Sequence, residues 1–180
     1  MRRRAWTFAV LLACGAAVPG FARAPEPPFR SVRAIDGLMV RRLHDGFRRS
    51  STFRQVVLAL ERSNVIVYVT PGACEVGRVA GCLLRFVQVS GSVRYLRVVV
   101  SGRLSDDRAI SVVGHELQHV REVADVGTVI DRASMLALFR RTGLRECRNV
   151  LSECYETKAA IDVEDAILKE LGKQFHFFRP

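Results

Sequence analysis

Residues 105–124 read SDDRAISVVGHELQHVREVA, and the fold and chemistry of the chain are decided there. Ile110, Val113, Leu117, Val120 and Ala124 recur at steps of three and four, the period of an amphipathic helix. Ser105 is placed to cap it, and Asp106 and Asp107 fall in the first turn, where the helix dipole favours acids. The stripe predicts a helix over about 106–126. On it, His115 and His119 lie about 40° apart and one turn above one another, opposite the apolar stripe. The motif His115-Glu116-Leu117-Gln118-His119 therefore aims two imidazoles at one point.

Two neutral ring nitrogens at i and i+4 suit Zn2+, which takes nitrogen donors at about 2.0–2.1 Å. Glu116 projects about 100° to one side, so it does not ligate but sits beside a water on the metal. There it would act as general base, taking the proton as the water attacks a carbonyl and delivering it to the leaving nitrogen. The chain has only four histidines, and the other two, His44 and His176, carry no motif.

A catalytic zinc site needs a third protein ligand and an open position. Glu156 is the first choice. On a helix expected over 152–171 it heads the apolar stripe Ala159, Ala160, Val163 and Ile167, while Lys158, Asp162, Asp165 and Lys169 take the far side. A carboxylate heading a buried stripe needs a partner, which a metal supplies. Glu153, one turn earlier, and Glu122 are rivals. Glu122 lies on the histidine face but about 7 Å along the axis from the pair, which fits a supporting role or a surface charge better than ligation.

The rest of the chain frames this helix. With 180 residues and 49% hydrophobic content it has enough apolar surface for one core. Arg2 to Arg4, the apolar run Ala5–Val18 and Ala22-Arg23-Ala24 have the form of a signal peptide over 1–24, leaving 25–180 as a single domain. Its removal would take four arginines, cutting the net charge from +10 to +6. It would also take Cys14, leaving Cys74, Cys82, Cys147 and Cys154. Four cysteines in an exported protein suggest two disulfides, most simply 74 with 82 and 147 with 154.

Residues 31–63 read as helix broken near Asp45-Gly46. Val65–Thr70, Leu83–Val89 and Val93–Ser101 read as three strands, the last two a hairpin through Ser90-Gly91-Ser92. Helices are expected over about 129–141 and 152–171. The order is α+β: N-terminal helices and a small three-stranded sheet packed on the zinc helix, then a helical part carrying the third ligand. Arg41, Arg42, Arg48, Arg49 and Arg54 cluster, but with no stacking aromatics they read as a solvated helix face, not as a nucleic-acid site. No apolar run after the signal peptide is long enough to span a membrane.

These residues resemble the zincin metallopeptidases, in particular the gluzincins with a glutamate third ligand, and among them small exported bacterial HExxH proteins. The resemblance covers about residues 93–165 and rests on His115–His119 and on Glu156-Thr157-Lys158-Ala159, a Glu-Thr-x-Ala segment. It implies a zincin-like fold and peptide hydrolysis, with Val93–Ser101 as the edge strand along which a peptide substrate would lie. Ala160 stands where thermolysin-like enzymes carry an aspartate that orients a ligand histidine, so that support must come from elsewhere. Arg121 replaces a usual hydrophobic residue, and no downstream His or Tyr stands out to steady an oxyanion.

The expectation is an exported zinc peptidase of the periplasm or cell envelope. The alternative is a non-catalytic, metal-stabilised envelope protein that binds a partner through the same fold.

Overall fold

The computed structural model describes residues 29–74, 79–145 and 155–175. The signal-peptide segment, Glu153, His176 and the Cys147–Cys154 pairing lie outside the described residues.

The chain starts with a short strand, β1 (Val32–Ala34), where sequence periodicity predicted helix. The Glu61 carboxylate accepts the N–H groups of Arg30, Ser31 and Val32, holding this segment extended beside the next strand. Helices α1 (Gly37–Arg49) and α2 (Ser51–Glu61) follow, capped by Asp36 and Ser50. The break is at Ser50, not at Asp45-Gly46. Gly46 lies within α1, and Ile110 and Phe53 pack within 2.9–3.1 Å of where its Cβ would be, so a close approach and not a turn explains the glycine.

Strands β2 (Val65–Pro71), β3 (Gly81–Leu83), β4 (Gln88–Ser90) and β5 (Val93–Val100) complete a five-stranded sheet. β1, β2 and β5 are mutually parallel, and β3 and β4 both pair antiparallel with β5. The stretch 83–89 expected as one strand is thus two short ones, with the predicted hairpin turn at Gly91 (φ 58°) joining β4 to β5. The expected edge strand, 93–101, forms as β5 and is central: β2 flanks it on one side, β3 and β4 on the other. Its eight residues alternate in burial up to the exposed Arg97 and end in the buried run Val98–Val100, which suits a strand paired on both sides. The edge beside the HExxH helix is β3.

Helices α3 (Asp106–Ala124), α4 (Arg132–Thr142) and α5 (Lys158–Phe175) follow, with a two-stranded ribbon, β6 (Leu144–Arg145) and β7 (Tyr155–Glu156), between the last two. The last helix begins at Lys158, so Glu156 lies on a strand. Ser105 makes no side-chain cap on α3. Asp106 and Asp107 instead pair with Arg42 and Arg49, and Arg42 is buried. Arg54 donates to the carbonyls of Phe47 and Arg48. Much of the arginine cluster therefore ties helices together and is not a solvated face.

Val65, Val67, Val69, Leu96, Val98 and Val100 form the sheet's inner face, and Ile110, Val113, Leu117 and Val120 of α3 join the same core between the sheet and the N-terminal helices. Arg94 fixes the far end of α3. Buried at 2% exposure, it donates to the carbonyls of Val123, Ala124, Val126 and Val129 and to Asn64 Oδ1. Val123 and Ala124 belong to the last turn of α3, whose carbonyls lack intrahelical partners, while Val126 and Val129 lie in the loop beyond it, and the cation also suits the negative end of the dipole. Among the described residues no helix is long and apolar enough to cross a membrane.

Candidate metal centre

From Ala109 to Val120 every residue of α3 is buried, on the polar side of the helix as well as the apolar one. The polar side is covered by α5, β3 and β7. Close approach of α5 depends on Gly114: a Cβ there would collide with the Ile167 side chain. Beside that contact, α5 and the residues just before it bring carboxylates onto the HExxH face.

His115, His119 and Glu156 come together, with one ligand atom from each lying within 4.8 Å of the others. Glu156 Oε2 is 2.8 Å from His115 Nε2 and 3.6 Å from His119 Nε2. That oxygen is buried and forms no well-directed hydrogen bond. Two nitrogens and a carboxylate oxygen this closely spaced, the oxygen without a formed hydrogen bond, are a donor set of the kind Zn2+ takes.

The far nitrogens of both rings face carboxylates. Glu122 Oε2 lies 3.1 Å from His119 Nδ1, while its Oε1 accepts from the Thr157 hydroxyl at 2.6 Å. Glu122 thus joins the helix of one candidate ligand to the segment of another, and does not itself reach the cluster. Glu164 Oε2 lies 2.9 Å from His115 Nδ1, off the direction of a formed hydrogen bond, and its other oxygen pairs with Arg108. Ala160, one turn earlier on α5, offers the ring no polar group, and Glu164 is the α5 carboxylate that reaches it. Thr157 also caps α5 by accepting from Ala160 N.

Electrostatics follow from this packing. Burial alone would lower both imidazoles, but the closely placed carboxylates of Glu156 and Glu164 and the negative field of Glu116 outweigh it, raising His115 to about 10. His119 rises to about 9 in the same way, through Glu122, Glu156 and Glu116. Burial opposes ionisation of Glu156 too, yet the two histidines hold its carboxyl down at about 2. Burial pushes Glu116 up to about 7 against the pull of both rings. The Leu83 N–H donates to the Glu116 carboxylate, and a Cβ on Gly81 would lie 3.2 Å from its Oε1. The edge strand therefore rests directly over Glu116.

Ala80 and Leu84 exchange backbone bonds with β5, so the polar groups of Gly81 and Leu83 point outward. They face a cleft of about 440 Å3 bounded by β3, the loop after it, α4 and β7, with Glu116, His119 and Glu156 in its wall. The disulfide Cys74–Cys82 (S–S 2.09 Å) lines the same cleft and ties the segment after β2 to β3. Tyr155 also lines it, on a strand and not on the helix expected there.

Of the sequence-predicted residues, His115, Glu116, His119 and Glu156 are brought together, and Glu122 stands behind His119. His44 is remote, edge-on to Phe29. Sequence reading missed Glu164, although the same signal singled out Glu156: an acid beside Val163 and Ile167 on an otherwise apolar stripe. Thr157 carried no signal by itself. No protein-family model, no curated protein and no solved structure matches the chain.

Proposed function

We propose that the chain is an exported, zinc-dependent peptidase of zincin type, with His115, His119 and Glu156 as metal ligands and Glu116 as general base. The observation that carries this reading is the approach of three donor atoms to within 4.8 Å of one another, with a second acid, Glu116, beside them and an open strand edge above. Zinc, when bound, supplies a Lewis acid and brings a water into the ionisation range of neutral pH. The chain's own residues do the rest. Glu116, steadied by the Leu83 N–H, accepts the proton of the attacking water and returns it to the departing amine. Glu122 and Glu164 hold the imidazole rings in orientation. An extended substrate adds to β3 through the outward groups of Gly81 and the Leu83 carbonyl, since the Leu83 N–H is already engaged. Export is supported by the composition of residues 1–24 and by a disulfide that suits an oxidising compartment.

The test combines metal analysis of purified protein with digestion of a mixed peptide library. One zinc per chain is expected, with hydrolysis by wild type and a loss of about a thousandfold or more in Glu116→Gln at unchanged zinc content. Equal behaviour of the two proteins on the library would leave only the metal-stabilised binding protein, and absence of zinc would remove both readings.

A further inference from the structure

The sheet has a second face, turned away from α3 and the metal centre. Val65, Val67 and Val69 of β2 and Leu96 and Val98 of β5 point into the core, so the alternate residues point the other way. Register then sets two rows on that face: Arg33, Tyr68 and Arg97 across β1, β2 and β5, and Ile66, Tyr95 and Gln88 across β2, β5 and β4. Neither tyrosine nor Ile66 belongs to the hydrophobic core. Arg33, Arg97 and Gln88 are exposed, and both tyrosines are half-buried. Tyr68, Tyr95, Arg97 and Gln88 line one groove of about 530 Å3, along with Ser90 and the 67%-exposed Phe86. That volume lies within the range of small-ligand sites, about 300–1,000 Å3.

The face carries charge of one sign. None of the five strands of this sheet contains an acid, while Arg33 and Arg97 flank Tyr68 on either side. Arg33 is held in place: its Nε donates to the Arg30 carbonyl at 2.7 Å and one Nη to the Tyr68 hydroxyl at 3.3 Å. A guanidinium fixed in this way loses less freedom when it meets an anion. We propose that this face binds an acidic glycan, a chain of sugars bearing carboxylates, at a site separate from the metal centre. A pyranose ring has an apolar face of C–H groups and a rim of hydroxyls. The tyrosine rings cover the first, while their own hydroxyls, Gln88 and Ser90 bond the second. Carboxylates on the sugars meet Arg33 and Arg97. An acidic glycan suits the face better than a single-stranded nucleic acid does, because the Cys74–Cys82 disulfide fits an oxidising compartment, where nucleic acid is rarely met.

The experiment is titration of the full-length protein with oligogalacturonate, beside neutral dextran and a single-stranded oligothymidylate, at low and at high salt. Saturable binding of oligogalacturonate, about tenfold weaker at high salt, and no binding of dextran are expected. Arg33→Gln combined with Arg97→Gln should weaken the glycan about tenfold at unchanged melting temperature, since both side chains are exposed. Tyr95→Leu, which keeps a bulky side chain but removes the flat ring and its hydroxyl, should weaken it about fivefold. Absence of saturable glycan binding, equal binding of dextran, tighter binding of the oligonucleotide, or glycan binding that survives the double substitution overturns the proposal. None of these outcomes bears on the peptidase reading, whose residues lie on the other side of the sheet.

Discussion

The two long faces of α3 are equally dry and chemically opposite. One packs Ile110, Val113, Leu117 and Val120 on the sheet and the N-terminal helices; the other buries His115, Glu116, Gln118 and His119 under α5, β3 and β7. On the first face burial itself is the driving force, and any close-fitting apolar neighbour would serve. On the second, burial is a cost that must be met by specific partners: Glu122 and Glu164 on the rings, Leu83 N–H on Glu116, and, on the proposed reading, a cation where Glu156 and the ring nitrogens approach one another. One face makes the helix stable, and the other makes it particular.

The largest effect separating the faces is expected for Leu117→Ala. It should cost about 2–5 kcal/mol in chemical denaturation while zinc affinity in the folded protein stays the same. A comparable loss of metal affinity would show that the faces are not independent.

Next is the response of chelated protein to pH. His115 and His119 are raised in the folded state to about 10 and about 9, so the stability they contribute is complete below about 6.5 and is lost as pH rises through those values. Glu116, raised to about 7, acts in the same direction between about 4.5 and 7. Melting temperature without metal should therefore fall from pH 6.5 to 10. Zinc should flatten the slope, since ligation holds the rings deprotonated across the range and releases protons on binding. A metal-free melting temperature that rises over this interval would contradict the packing of the polar face.

Smaller changes should follow from the carboxylates behind the rings. Glu164→Gln and Glu122→Gln are each expected to weaken zinc by about 10- to 100-fold in competition with a chromophoric chelator, with little change in unfolding free energy. Thr157→Val should reproduce part of the Glu122 effect, because its hydroxyl holds the other oxygen of that carboxylate.

The smallest effect is at the seam between α3 and α5. Gly114→Ala should cost about 1 kcal/mol, the overpacking against Ile167 being offset in part by better helix propensity. In an Ile167→Val background, which lacks the colliding methyl, the same change should cost less. Additive losses would mean that the two helices do not meet where Gly114 allows.

How much of this was legible varies with the kind of force. The α3 stripe, the β2 and β5 runs and the Gly91 hairpin were readable because apolar period and turn chemistry are local. β1 was missed, since three residues carry no period and are held extended by Glu61, 30 residues away. The division between α1 and α2 was misplaced because Gly46 looked like a breaker when it is a contact point. Glu156 was singled out on the premise of a helix face; the structure brings it to the histidines from a strand, with Thr157 starting the helix behind it.

Sequence alone determined that a helix would carry two imidazoles and an acid on one side and a hydrophobic stripe on the other, because a 3.6-residue period is written into neighbouring positions. Only the tertiary structure decided which strand forms the edge of the cleft, that Glu164 backs His115, and that Glu122 and Thr157 connect two candidate ligands. Those outcomes depend on pairing and burial between segments up to about 50 residues apart in the chain. No local pattern encodes them.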